Sequence, residues 1–290
     1  SIPLKRCYRT PRLSLISAFA LGLGIYNEKI LQRLETNQQW EALGFKVLKG
    51  DSKTGDDMVI ERPLENTPSY SNEKFTKESI KIGKFKNLDD ECVAIAKHIS
   101  QCISVEGLIP TDICVICLDS KYIAEYFSKI ETQLHKNGIQ TFNHLNAPYS
   151  NTSFFKDGYV TLSTVNKAKG NECGVVFICG ADAIFQFPND VIRRDKLFTS
   201  MTRTKGWLYL SGVGDSMEIF NKEYNELVKN NFNLVFKQPD KAETKNIENV
   251  SRGRDNAENI VANQIKKMRE LGMSDDELQK MWTELLKIKK

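Results

Sequence analysis

Short apolar segments alternate with amphipathic ones over residues 88–237, and this alternation constrains the fold more than any other feature of the sequence. The segments at 112–118 and 174–179 are apolar almost throughout, and the segment at 159–164 combines apolar residues with small polar ones. All three are too short for stable helices. Between them, apolar residues recur at the three- and four-residue spacing of a helix. Strands that are apolar along their whole length are buried on both faces, which is typical of a parallel sheet. The sequence therefore predicts an α/β fold with helices on both faces of the sheet.

The expected organisation has four parts. Polar residues separate short strand candidates at 45–48, 58–61 and 80–85, which predicts a small insertion that leaves the main sheet and returns. A charged linker and two amphipathic helical patterns follow the main domain. We expect the main domain at 1–27 and 87–237, the insertion at 28–86, the linker at 238–255 and the helical appendage at 256–290. Within the main domain we expect strands at 112–118, 139–142, 159–164, 174–179, 207–211 and 234–236.

The composition argues against several classes of protein. No run approaches 18 apolar residues, so no segment is predicted to span a membrane. The seven cysteines are odd in number and scattered, which predicts reduced thiols in a cytoplasmic protein rather than a disulfide scaffold. The net charge of +4 permits an anionic partner without requiring one. The basic and partly apolar residues 1–26 suggest a targeting segment or a buried helix, and we favour the helix.

A complete phosphate-binding loop is absent from the sequence. The pattern GxxxxGK[ST] does not occur, and Gly50 and Gly55, which have its glycine spacing, precede the charges of Asp56 and Asp57. No segment has the three glycines of a dinucleotide-binding loop, which argues against a dinucleotide-dependent enzyme. We therefore expect the chain by itself not to hydrolyse nucleotides.

Three segments carry the remaining chemical signals. They are CYRTPR at 7–12, TLSTVNKAKGNE at 161–172 and LFTSMTRTKGW at 197–207. In order, spacing and strand–helix context, they resemble motifs IV, V and VI of superfamily 1 DNA helicases of the UvrD/Rep type. The resemblance covers residues 1–30 and 88–237, and it is closest to helicases in which a nuclease-like domain precedes the motor.

The resemblance implies a RecA-like fold and half of a motor. In this family ATP lies with Mg²⁺ between two RecA-like domains, and the first domain holds the metal. The chain resembles the second domain, the C-terminal part of an ATP-dependent helicase. The implied partners are single-stranded DNA, the missing N-terminal RecA-like domain and a nuclease domain. The implied site contains no metal ligand from this chain.

The resemblance also assigns roles in the nucleotide site. Arg203 corresponds to the arginine finger, whose planar, permanently charged guanidinium suits the charge that develops on a transferred phosphoryl group. Arg9 corresponds to a second γ-phosphate contact and Tyr8 to an aromatic ring stacked on adenine. Glu172 would accept a hydrogen bond from the ribose, and Gly170 would let the backbone approach the nucleotide closely.

Thr164, Asn166 and Lys167 correspond to contacts with nucleic-acid phosphates, because hydroxyl, amide and ammonium groups bind phosphate without reading sequence. Asn166 stands where the family commonly has His, and Thr204 stands where it commonly has Ala. Both departures weaken any detailed assignment of DNA contacts.

Simpler interpretations exist for each of these residues. Arg9 and Arg203 could be surface cations, Tyr8 a core aromatic residue and Glu172 a solvated turn residue. Lys167 could be a solvated side chain. At the level of the whole chain, the alternative is a non-enzymatic, helicase-like module that binds nucleic acid or a protein.

Overall fold

The structure is a computed structural model and describes residues 10–67, 79–146 and 153–246. The strands are β1 (Gln32–Arg33), β2 (Lys46–Lys49), β3 (Asp57–Glu61), β4 (Ile80–Phe85), β5 (Ile113–Cys117), β6 (Thr141–Asn143), β7 (Val160–Thr164), β8 (Cys173–Cys179), β9 (Thr204–Val213), β10 (Leu234–Lys237) and β11 (Lys245–Asn246). The α-helices are α1 (Arg12–Leu23), α2 (Asn37–Ala42), α3 (Leu88–Ser104), α4 (Ile123–Lys136), α5 (Val165–Ala168), α6 (Asp182–Phe185), α7 (Val191–Met201) and α8 (Ser216–Lys229).

A parallel sheet of six strands is the centre of the fold, so the expected α/β class is confirmed. The strands lie in the order β4-β9-β8-β5-β7-β6, and every neighbouring pair is parallel. This architecture is consistent with a RecA-like fold. Parallel strands all begin at one edge of a sheet and end at the other. We call these the amino edge and the carboxyl edge.

Helices cover both faces of this sheet. On one face, Ile99 of α3 and Phe127 of α4 share a core with Val115 and Phe177 of the strands. The alternate strand residues, such as Val176, are also buried but point to the opposite face. There α7 and α8 contact β8 and β9, and α1 packs against both helices.

A buried ion pair joins the three helices of the second face. Arg194 of α7 donates two hydrogen bonds to the carboxylate of Glu223 in α8, at 2.6 and 2.8 Å, and both side chains are almost fully buried. Arg194 also donates to the carbonyl of Leu21 in α1 at 2.9 Å. Removing one partner from such a pair leaves an uncompensated buried charge. The pair therefore fixes the position of α7 relative to its neighbours.

Two strands lie in different sheets from those expected. The strand at 80–85, predicted in the insertion, is β4, the outermost strand of the main sheet beside β9, where Ile80 pairs with Leu208. The strand at 234–236, predicted in the main sheet, is β10, which pairs with β3 in an antiparallel sheet of the order β10-β3-β2. Both assignments were wrong because an edge strand is half exposed, so its pattern does not identify its neighbour.

The first residue of the expected linker, Gln238, packs beside the antiparallel sheet of β10, β3 and β2. Gln238 is buried, and its amide donates to the carbonyl of Leu34 at 2.9 Å. The backbone N–H of Gln238 donates to Asp56 at 2.8 Å. The chain divides into compact units at 1–245 and 246–290. All but the first residue of the second unit lies outside the described residues, so the helical appendage stays a prediction.

The apolar run near the N-terminus is the buried helix that we favoured. Helix α1 is buried from residue 14 to residue 23 and ends at Gly24, whose φ of +63° is left-handed. No helix among the described residues is long and apolar enough to cross a membrane. The six cysteines that the structure describes are all buried free thiols.

A buried carboxylate fastens α3 to the carboxyl edge of the sheet. Glu91 accepts hydrogen bonds from the Ser211 hydroxyl at 2.6 Å, from the Tyr126 hydroxyl at 2.7 Å and from the Gly180 N–H at 3.0 Å. Burial raises the pKa of Glu91, and these three hydrogen bonds oppose that rise without cancelling it. The folded protein therefore binds a proton at Glu91 more tightly than the unfolded chain does.

Replacement of Glu91 by Gln is predicted to change the pH dependence of stability. Because the folded-state pKa is raised, the stability that protonation of Glu91 contributes is present below the unfolded pKa of about 4.3 and is lost as pH rises through the folded pKa. The free energy of unfolding of Glu91→Gln, relative to wild type, should therefore increase as pH rises from about 4 to neutrality. Urea denaturation at a series of pH values measures it. Glu41→Gln, at an exposed carboxylate, is the control, and a difference that stays constant or falls with pH contradicts the prediction.

Candidate functional site

Two of the expected nucleotide-binding residues, Glu172 and Arg203, lie at the amino edge of the sheet. Glu172 directly precedes β8 and Arg203 directly precedes β9, and these strands are parallel neighbours. The backbone N–H of Cys173 donates to the carbonyl of Arg203 at 3.0 Å. Glu172 and Arg203 therefore lie beside each other at the same edge, although 31 positions separate them in the numbered sequence.

The first segment reaches the same place through Thr10. Its hydroxyl donates to the carbonyl of Thr202 at 3.3 Å, and both residues are buried. The residue that follows Arg9 is thus in contact with the residue that precedes Arg203. Tyr8 and Arg9 themselves lie outside the described residues, so their roles stay predictions.

The guanidinium of Arg203 is oriented by the last turn of α7. Its Nε donates to the carbonyl of Thr199 at 2.9 Å, and its Nη2 donates to the hydroxyl of Thr202 at 3.0 Å. The side chain is half-buried. A guanidinium held by two donated hydrogen bonds loses little further freedom when it meets an anion.

Gly170 is required by its backbone angle rather than by crowding. Its φ is +85°, in the left-handed region that side chains disfavour, and no atom lies within 4 Å of the position that a Cβ would take. The space around this turn is therefore open. Glu172, two residues later, is half-buried.

Thr204, a departure from the helicase pattern, organises an irregularity at the start of β9. Its hydroxyl accepts a hydrogen bond from the N–H of Gly206 at 3.0 Å and donates to the carbonyl of Trp207 at 2.9 Å. The register of β8 and β9 shifts at this point. This shift is a β-bulge, at which backbone hydrogen bonds between the two strands are lost. The hydroxyl of Thr204 forms hydrogen bonds in their place. Trp207, at the end of the bulge, is 39% exposed.

The expected nucleic-acid contacts lie at the opposite, carboxyl edge. Thr164 is the last residue of β7 and caps α5, where its hydroxyl accepts from the N–H of Lys167 at 3.3 Å. Asn166 is exposed. The ammonium of Lys167 donates to the carbonyl of His144 at 2.7 Å, beyond the end of β6. Strands of five to seven residues separate this edge from the amino edge by roughly 15–20 Å.

Two residues that the sequence did not single out join this group. A cavity of about 300 Å³ at the carboxyl edge is lined by Thr164 and Asn166, and also by Ser120 and Lys196. Ser120 follows β5, and Lys196 lies on α7. Their closeness to Thr164 depends on how the elements pack, and no spacing in the sequence reveals it.

A buried histidine, His144, lies next to the expected nucleic-acid contact Lys167. His144 is buried and stacks on Phe154 with 5.0 Å between ring centroids. Burial lowers the pKa of His144, and the charge of Lys167 adds to this effect, while a hydrogen bond to the Phe154 carbonyl opposes it. His144 therefore supports this edge as a neutral ring.

Among the described residues no three His, Cys, Asp or Glu side chains are grouped so that they could hold a metal ion.

Comparison with known proteins bears on this geometry. Residues 159–211 match the model of the UvrD-like helicase C-terminal domain. The matched segment runs from the start of β7 into β9, so it contains Thr164, Gly170, Glu172 and Arg203. Similarity to UvrD-like helicases is therefore established for the segment that carries the second and third motifs.

One solved structure and the curated sequences complete the comparison. The chain is similar to the C-terminal domain of a possible DNA helicase from Lactobacillus plantarum WCFS1, with 14% identity and a TM-score of 0.37. That alignment covers 57% of this chain and 83% of the other. No curated protein matches the sequence.

Replacement of Thr204 by Val is predicted to destabilise the fold by about 1–3 kcal/mol, because the buried N–H of Gly206 then has no acceptor. Thr204→Ser keeps the hydroxyl and should lose less stability. Urea denaturation of the two variants measures the difference. Equal stability of Thr204→Val and wild type would show that the hydroxyl does not support the bulge.

Proposed function

We propose that this chain is the second motor domain of an ATP-dependent superfamily 1 DNA helicase or translocase. The observation that carries the proposal is the convergence of three distant segments at the amino edge. Hydrogen bonds from Thr10 to Thr202 and from Cys173 to Arg203 bring the segments together. The family match at 159–211 supports the same assignment.

Each residue at the amino edge suits one part of a nucleotide. Arg203 presents a permanent positive charge, which would stabilise negative charge that develops on the terminal phosphate during transfer. Glu172 is a hydrogen-bond acceptor for a ribose hydroxyl. The open, left-handed turn at Gly170 leaves room beside Glu172 for a ligand to approach.

The proposal needs a partner domain for the chemistry. When bound, ATP with Mg²⁺ supplies the phosphoryl group and the charge that neutralises its oxygens. The residues of this chain would orient the nucleotide and stabilise its terminal phosphate from one side of a cleft. The phosphate loop and the metal ligands would come from the first motor domain, which closes the other side.

The opposite edge would hold the nucleic acid. Thr164, Asn166 and Lys167 offer hydroxyl, amide and ammonium groups, which suit phosphates in a sequence-independent way. The nucleotide and the nucleic acid would occupy opposite ends of the same β-strands. Closure of the nucleotide cleft would therefore shift this domain along the bound nucleic-acid strand. Cycles of closing and opening would give translocation.

Replacement of Arg203 by Lys, in the protein that carries this chain with its phosphate-loop domain, tests the proposal. Lysine keeps the charge but loses the planar fork, so hydrolysis should fall by about 10²-fold or more. Nucleotide affinity should fall far less, because the contact forms mainly in the transition state. Steady-state hydrolysis and equilibrium binding of a nucleotide analogue measure the two quantities.

The control is Arg193→Lys, also on α7. Its guanidinium is bound by the carbonyl of Ala183 and by Asp190, away from the amino edge, so hydrolysis should be unchanged. Equal losses of binding and turnover in Arg203→Lys would assign Arg203 to ground-state binding or folding instead. If the full protein has no phosphate-loop domain, the proposal that it hydrolyses ATP is wrong. A non-enzymatic, helicase-like module is then the favoured alternative.

A further inference from the structure

The cavity at the carboxyl edge has the lining of an anion site. Its volume is about 300 Å³, near the lower end of small-ligand pockets. Its polar lining residues are Ser120, Thr164, Asn166 and Lys196, and the others are apolar. Among the residues that the structure describes, no carboxylate lines it. One cation and three neutral polar side chains therefore surround the space.

These polar groups are available to a ligand. Within residues 10–67, 79–146 and 153–246, the side chains of Ser120, Asn166 and Lys196 form no hydrogen bond or ion pair. Thr164 accepts a hydrogen bond from the backbone, which leaves its hydroxyl hydrogen free to donate. Each of the four can thus offer a donor to an anion.

Lys196, rather than Lys167, is the cation that belongs to the cavity. Lys167 is held by the carbonyl of His144 and does not line the space. Two acids are adjacent in the sequence to residues that line the cavity. Asp119 accepts from the backbone N–H groups of Lys121 and Tyr122, Asp195 accepts from the side-chain amide of Gln32 at 2.8 Å, and neither lines the space. The charge of Lys196 is therefore not neutralised from within the cavity.

We propose that this cavity binds one backbone phosphate of a single-stranded nucleic acid, with Lys196 as its cation. Ser120, Thr164 and Asn166 donate neutral hydrogen bonds to the same phosphodiester. The inference rests on the proposed function, because it assigns a new subsite within the expected nucleic-acid edge. The contact carries no sequence preference, because a backbone phosphate is the same in every nucleotide.

The test is the salt dependence of binding of a fluorescent oligo-dT to the full 290-residue chain. A contact with one single-strand phosphate contributes about 0.7 to the slope of log K against log salt concentration. Lys196→Gln should lower the slope by about 0.7 and weaken binding about fivefold at about 0.1 M salt, which follows from that slope. Lys196→Arg should keep the wild-type slope.

The matched control is Lys97→Gln, which removes an exposed charge from α3 on the other face of the sheet. It should bind like wild type. Asn166→Asp, at an exposed position, adds a negative charge beside the cavity without touching Lys196, and should weaken binding at least as much as Lys196→Gln. Its urea denaturation midpoint should match that of wild type.

The outcomes separate this proposal from the proposed function. If wild type binds and Lys196→Gln keeps both affinity and slope, the subsite is wrong while nucleic-acid binding stands. An equal loss in Lys97→Gln would also overturn the subsite, because it would reflect net charge alone. If wild type does not bind oligo-dT, both the subsite and the nucleic-acid role of this chain are overturned.

Discussion

The parallel direction of β7, β8 and β9 is the constraint on which the candidate sites depend. In a parallel sheet, residues that precede strands collect at one edge, and residues that follow strands collect at the other. Glu172 and Arg203 precede β8 and β9, whereas Thr164 follows β7. One segment of 12 residues, 161–172, therefore contributes to both edges, because the chain must return from the end of β7 to the start of β8. An antiparallel sheet would have mixed the two groups.

Packing on the second face then fixes the third segment. Helix α7 runs from the carboxyl edge, where Lys196 lines the cavity, to the amino edge, where Arg203 follows its last turn. The buried pair of Arg194 and Glu223 joins α7 to α8. The hydrogen bond from Thr10 to Thr202 joins α7 to the start of α1. A single rigid helix thus links the proposed phosphate subsite to the proposed arginine finger, which gives a direct physical route between the two edges.

The sequence predicted what continuous patterns encode and missed what depends on packing. The strands expected at 159–164 and 174–179 agree with β7 and β8. Strand β8 is buried and apolar from residue 175 to residue 179, as is typical of a central parallel strand, whereas β7 also buries the small polar residues Thr161 and Ser163. Edge strands β4 and β10 were assigned to the wrong sheets, because one exposed side makes their pattern ambiguous. Motif order predicted that Glu172 and Arg203 belong together. Lys196 was missed, because only the packing of α7 against α5 brings it to Thr164.

The measurement that tests this account most directly is hydrogen exchange on the proposed full protein, in which this chain is joined to a phosphate-loop domain. An ATP analogue should slow exchange at 169–174 and 202–206, at the amino edge. A single-stranded oligonucleotide should slow exchange at 118–123 and 164–167, at the carboxyl edge. Protection of the carboxyl edge by the nucleotide, or of one edge by both ligands, would contradict the division of the sheet into two sites.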